Sequence, residues 1–254
     1  MNKTIVLKCG GSITDELGAG FFDSIKDLMR SGYHILIIHG GGPDITRYLK
    51  DKGIETKFVD GLRHTDEAVL SAVEVMLSGK TNRHIVQKLK SQGIPAIGMQ
   101  GPDHFFQADL LDYDKYGLVG IMTGVETKVV EALLQLGLIP VVTPLAQGPN
   151  GEHLNINADI AAAHAAIGLQ AEELIFVTNV PGVMKNGDLL DSVTKEEIDQ
   201  MLADGTIYGG MIPKVKGALN ALKSGIESVR IGSGLAPIWK NGSFSGTAIT
   251  AEDL

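Results

Sequence analysis

The sequence predicts an α/β protein whose central sheet is mainly parallel and covered by helices on both faces. Three observations predict it. Short β-branched runs alternate with amphipathic stretches along nearly the whole chain. The strand-like runs are almost entirely apolar, as strands buried on both faces must be. Two of them, "LKCGGS" and "IIHGGGPD", end in consecutive glycines just before a helix, the place where parallel α/β sheets bind ligands.

In chain order, "TIVLK" (4–8) reads as a strand and "FFDSIKDLMRSG" as a helix, and "HILIIHGGG" is a second strand running into glycines. "TDEAVLSAVEVMLSG" has helical periodicity, with Thr65 expected as its N-cap, and "TNRHIVQKLKSQG" continues in the same way. "IPAIGM" follows, then hairpin-like character around 103–126, helix "KVVEALLQLG" and strand "IPVVTPL". The remainder alternates again: helix "ADIAAAHAAIG", strand "ELIFVTNV", helices "TKEEIDQMLADG" and "PKVKGALNALKSG", strand "SVRIGSG" and a short "GTAIT". The expectation is two lobes on one continuous sheet, 1–170 and 171–254.

Composition narrows the function. With 44% hydrophobic and 20% charged residues the 254-residue chain can bury a full core, so wholesale disorder is excluded. A net charge of −8 argues against general nucleic-acid or anionic-membrane binding, yet leaves room for a local anion site. The single cysteine, Cys9, cannot form an intramolecular disulfide and fits a reducing compartment. The apolar run before Lys8 is too short for a signal-peptide core, and no stretch approaches the roughly 20 apolar residues of a membrane span. The expectation is a cytoplasmic protein.

Consecutive glycines let backbone N–H groups converge on a phosphate without Cβ obstruction, although two ordinary tight turns would look the same. Better-known glycine motifs do not apply. "SGKT" (78–81) has Glu74 where a P-loop needs its first glycine, no G-x-G-x-x-G follows a strand, and no G-x-S-x-G accompanies "HGGG".

Lys8 ends an otherwise apolar strand, a costly place for a charge without an anionic partner, unless it snorkels past the strand end. Lys214 lies in the first turn of a helix after "YGGM", where its charge opposes the helix dipole. Lys216, two residues on, reads as solvated. In "NINAD", Asp159 could simply cap the alanine helix. Capping would not explain Asn155 and Asn157, which would share one face of an extended segment with it. A single aspartate can also hold two ammonium groups and relieve their repulsion. Arg63 in "GLRHTDEAV" is suited to gripping a carboxylate, or is an ordinary surface arginine. The seven histidines form no metal set: His39 reads as positioned core, and His153 and His164 are isolated.

Together, "KCGG", "HGGG", "GLR", "NINAD", "TNVPGV" and "GGMIPK", in that order over nearly the whole chain, resemble the amino acid kinase family. The resemblance implies an open αβα sandwich, with residues 1–170 binding an acyl amino acid and contributing a dimer interface, and 171–254 binding ATP. It implies ATP-dependent phosphorylation of the γ-carboxylate of N-acetyl-L-glutamate. A kinase for an acylated aminoadipate, or a non-catalytic nucleotide-binding member of the fold, are the alternatives. Residue by residue, it implies Lys8 at the moving phosphoryl group, Lys214 on the nucleotide side, and Asp159 organising both. Gly41 and Gly42 line the substrate and phosphoryl position with Gly11 opposite, Gly10 and Gly11 bind phosphate on the nucleotide side, and Arg63 and Asn155 hold the substrate's α-carboxylate region. Thr178, Asn179, Gly182, Tyr208, Gly209 and Met211 match the nucleotide site, Asn179 standing where relatives often carry aspartate. Mg²⁺ would be held mainly by the phosphates, with no protein ligand. Arginine-inhibited members carry a helix before the first strand; here the strand starts by residue 4, which implies an arginine-insensitive homodimer.

Overall fold

The computed structural model describes residues 3–11 and 13–250. Its centre is an eight-stranded sheet, in spatial order Ser192–Thr194, Thr247–Thr250, Ser228–Ser233, Glu173–Thr178, Thr4–Cys9, His34–His39, Ile139–Val142 and Ala96–Met99. All neighbours run parallel except Ser228–Ser233 with Thr247–Thr250. The mainly parallel sheet expected from the alternation is therefore present, and its strands cross the 170/171 boundary without a break.

Both faces are buried, and the two-residue period of a strand decides which residue serves which face. Val6 aligns with Leu36 and Leu174, and all three enter the core beneath the alanine helix Ala158–Gly168. Ile5, Leu7, Ile35 and Ile37 point the other way, into a second core with Phe21, Ile25 and Leu28 of the helix Ala19–Arg30. Lys8 has the parity of Val6, so its side chain leaves the carboxyl end of the central strand on the alanine-helix side.

Ala161, Ala162, Ala163, Ala165 and Ala166 are all buried, and their small side chains let this helix lie close to the central strand and to the helix Met211–Leu222. That close seat brings the helix N-terminus beside Lys8. The 103–126 region is a hairpin, Phe106–Leu110 against Gly120–Val125, within a smaller sheet that also holds Leu145–Gln147 and His153–Asn155.

One local expectation is corrected and another gains detail. Asp66, not Thr65, caps the helix Glu67–Glu74, its carboxylate accepting from Val69 N at 2.8 Å; Thr65 is buried and donates instead to the Arg63 carbonyl. The two helical stretches on either side of "SGKT" are one helical path: Glu67–Glu74 continues through a π-helical segment, Val75–Thr81, into Asn82–Ser91. Wide turns of this kind concentrate at functional sites.

Candidate active site

At "NINAD" the work is divided between a strand and a helix, which corrects the single extended face expected for these residues. Asn155 ends the strand His153–Asn155. Asn157 is the N-cap of the alanine helix, its side-chain oxygen accepting from Asp159 N at 2.8 Å and Ile160 N at 3.3 Å. Asp159, already inside the first turn, is thereby released from capping. Its Oδ1 lies 2.7 Å from the Lys8 ammonium, with about four-fifths of both side chains shielded from solvent. The helix dipole favours this carboxylate, and the Phe176 ring lies 5.3 Å from the ammonium.

Lys8 and Asp159 form a wall shared by two cavities. One, of about 250 Å³, lies on the N-terminal side and is lined by Gly11, Gly40, Gly41, Gly42, Arg63 and Asn155 among others. The second, of about 370 Å³, is lined by Gly10, Thr178, Asn179, Gly210, Pro213 and Lys214. Of the residues expected on the nucleotide side, Gly10, Thr178 and Asn179 line this cavity and Gly11 lines the first; Gly182, Tyr208, Gly209 and Met211 line neither. Tyr208 is 76% exposed, and Gly182 packs against Thr247.

In the first cavity, Arg63 is buried to 7% exposure and its ligands are all neutral. The guanidinium donates to Thr56 Oγ1 at 2.7 Å, Thr46 Oγ1 at 2.8 Å and the Gly42 carbonyl at 3.1 Å, and stacks 4.7 Å from the Phe58 ring centre. Among the described residues no carboxylate pairs with it, and burial lowers its pKa. A desolvated cation without a counter-ion is a receptor for an anion. Asn155 is tied to the same arginine: its Nδ2 donates to Thr65 Oγ1 at 3.1 Å, and that hydroxyl donates to the Arg63 carbonyl at 2.8 Å.

The second cavity repeats the pattern. The Lys214 ammonium donates to the Gly210 carbonyl at 2.9 Å, and no carboxylate among the described residues pairs with it. Burial lowers its pKa. Asp159 therefore contacts Lys8 directly, whereas Lys214 faces the same cavity from the opposite helix with a neutral anchor.

In the wall of the first cavity the two glycine loops meet backbone to backbone. A methyl group on Gly11 would sit 2.9 Å from Cα of Gly41, closer than any side chain tolerates. The first loop is also held from behind by the Lys88 ammonium, which donates to the carbonyls of Thr14 at 2.8 Å and Asp15 at 2.7 Å. Leu77, from the π-helical segment, packs where a Gly41 side chain would go.

Gly217 was not anticipated from the sequence. A methyl there would lie 2.7 Å from Asp159 Oδ2, so this glycine is where the Met211–Leu222 helix packs onto the carboxylate. Its only signal is a lone glycine inside a helical pattern, which often marks close packing. His153 is not isolated either: its Nδ1 lies 2.5 Å from Glu74 Oε1.

Comparison with known proteins agrees with this architecture. The model of the amino acid kinase family matches residues 3–233. Acetylglutamate kinase of Geobacillus kaustophilus (strain HTA426) is 45% identical over 253 residues, covering 99% of this chain and 98% of the relative. The protein of the same name from Bacillus velezensis is 46% identical over the same shares. The crystal structure of smu.665 from Streptococcus mutans UA159 superposes with a TM-score of 0.84 at 32% identity, covering 99% of this chain and 100% of that one. With a family match over nearly its whole length, and relatives this similar end to end, the chain belongs to the amino acid kinase family.

Proposed function

We propose that the protein transfers the γ-phosphoryl group of ATP to the γ-carboxylate of N-acetyl-L-glutamate. One observation carries the reading: a buried unpaired arginine and a part-buried unpaired lysine stand in two cavities that share the Lys8–Asp159 pair as their wall. The names of relatives at 45% and 46% identity support the substrate.

The acyl amino acid would occupy the first cavity, its α-carboxylate on Arg63 and its neighbouring polar groups near Asn155. The nucleotide phosphates would lie along Gly10, Lys214 and the second cavity. Such a γ-carboxylate, with a pKa near 4.3, is ionised at neutral pH, so its oxygen needs no general base. That oxygen bonds to the γ-phosphorus as the bond to the β–γ bridging oxygen breaks, giving an acyl phosphate and ADP. The obstacle is charge: two unit anions 4 Å apart repel by about 4 kcal/mol at an effective dielectric near 20. Lys8 offsets this at the crossing point and Lys214 on the leaving side, while glycine N–H groups face the equatorial oxygens. Mg²⁺, bound through the phosphates, would supply further neutralisation.

The finer points follow the same reading. Residues 1–170 form the acyl-substrate lobe and 171–254 the nucleotide lobe, Gly182, Tyr208, Gly209 and Met211 serving the nucleotide from outside the phosphate cavity. The protein is cytoplasmic and a homodimer. The edge strand Ala96–Met99, open on one side with Ile97 exposed, supports a partner copy there.

The test is ADP release with N-acetylglutamate, glutamate and N-acetyl-aminoadipate as acceptors. Selective release with N-acetylglutamate is expected. Preference for the aminoadipate derivative would move the assignment to the longer substrate, and no release with any acceptor would overturn it in favour of a binding protein.

A further inference from the structure

The glycine loop after the strand His34–His39 is gripped from behind by two buried side chains. His39 is fully enclosed. Its Nδ1 lies 3.1 Å from the Gly40 carbonyl oxygen, and its Nε2 lies 3.1 Å from Nδ2 of Asn82, the first residue after the π-helical segment. The same Asn82 nitrogen donates to the Val141 carbonyl at 2.7 Å. A carbonyl only accepts, so the amide must present its NH₂ group to Val141, and the second hydrogen of that group then goes to Nε2. Nε2 is therefore unprotonated, the ring proton sits on Nδ1, and Nδ1–H donates to Gly40. Burial pushes the pKa of His39 down to about 4, so the ring keeps this neutral form at ordinary pH.

The peptide joining Gly40 and Gly41 is trans, as are all those described. In a trans peptide the C=O of one residue and the N–H of the next point in opposite directions. Drawing the Gly40 carbonyl onto the ring thus turns the Gly41 N–H away from the ring, and Gly41 itself lies against Gly11 and lines the first cavity. Among the described residues that N–H has no protein acceptor, whereas the neighbouring Gly40 N–H is bonded to the Cys9 carbonyl at 2.9 Å.

We propose that His39, oriented by Asn82, is a positioning residue that aims the Gly41 N–H at the transferring phosphoryl group. The ring touches no substrate; it fixes the direction of a dipole before the reaction begins. The proposal rests on the phosphoryl-transfer reading above and adds to it a reason for a histidine ahead of the three glycines.

Two substitutions test it. His39→Phe keeps a ring but removes the donor, and His39→Asn restores an N–H near the Nδ1 position. His39→Phe is expected to lower kcat by about 10- to 100-fold, less than the roughly 100- to 1000-fold of deleting a preorganised donor, because the Gly41 N–H remains but loses its aim. Its KM for N-acetylglutamate should stay within about twofold, because Arg63 holds that substrate independently. His39→Asn should recover a large part of kcat. Equal losses in the two variants, or an unchanged kcat in His39→Phe, would overturn the proposal. A second measurement stands apart from turnover and from the folding of either variant. Nitrogen NMR of the wild-type ring should give a protonated Nδ1 and a bare Nε2, and MgADP with aluminium fluoride should shift the Gly41 amide resonance strongly. The opposite tautomer, or an unmoved Gly41 amide, would overturn the proposal even if the acceptor assay succeeds. Failure of that assay with N-acetylglutamate would instead deny the substrate and leave these NMR outcomes to decide the role of His39.

Discussion

The ammonium of Lys8 and the carboxylate of Asp159 form an ion pair of 2.7 Å that lines both cavities, so a group bound in either one has this pair beside it. Lys8 comes from the end of the central strand and Asp159 from the first turn of the alanine helix. Removing the ammonium should therefore damage the transfer more than binding. Lys8→Ala is expected to lower kcat by at least about 100-fold, with the KM for ATP changed only a few-fold. Steady-state kinetics with varied ATP checks this, and an unchanged kcat would remove Lys8 from the reacting centre.

Arg63 should report on the other substrate. Its neutral ligands leave the charge available, so Arg63→Ala is expected to raise the KM for the acyl amino acid by about 10- to 100-fold. Arg63→Lys should rescue poorly, because an ammonium cannot reproduce the planar fork. If both variants kept the wild-type KM, the carboxylate clamp would lie elsewhere.

Gly217→Ala sets two effects against each other. Alanine is the better helix former by about 1 kcal/mol, but its methyl would press on Asp159 Oδ2, and overpacking typically costs about 1–3 kcal/mol. The contact should win: thermal denaturation is expected at a lower temperature, together with a loss of kcat as the carboxylate is pushed off Lys8. A variant more stable than wild type and fully active would show that the helices have room to spare.

The depressed pKa of Lys214 gives a pH signature. Phosphate binding needs the protonated amine, so kcat/KM for ATP should fall as pH rises through a value below the usual lysine range. Bound phosphates favour the charged form, so the corresponding fall in kcat should lie at higher pH. Lys214→Arg, always charged, should lose the alkaline fall in kcat/KM. Coincident limbs in the two profiles would mean that phosphates do not contact this ammonium.

Much of the fold could be read from the sequence because the strands are apolar and glycine-terminated, and period and punctuation are local signals. "HILIIHGGG" and "ELIFVTNV" both lie in the central sheet. Capping was harder: Thr65 and Asp66 are both good caps, and only the burial of Thr65 by the Arg63 region separates them. "NINAD" was harder still, since the assignment of Asn157 to the cap depends on where the helix begins to within one residue. The pairing of Lys8 with Asp159 joins distant parts of the chain and was reached through the family pattern, not through spacing. Gly217 and the His39–Asn82 contact stayed hidden because a close approach and a ring tautomer are properties of packing, which no short stretch of sequence carries.

The π-helical stretch Val75–Thr81 has a mechanical consequence. An α-helix advances about 100° per residue, and a π turn accommodates one extra residue without ending the helix. Deleting a single amino acid between 75 and 81 would let the stretch tighten into an ordinary helix while the residues downstream kept their azimuth, because the residue removed is the one the wide turn takes up. Asn82 would stay on His39 and Lys88 on the carbonyls it holds, whereas one residue deleted from the ordinary turns between Asn82 and Lys88 would rotate Lys88 away by about 100°. The surplus residue widens the path locally, where Leu77 meets Gly41, and leaves undisturbed the phase at which the rest of the helix reaches the two glycine loops.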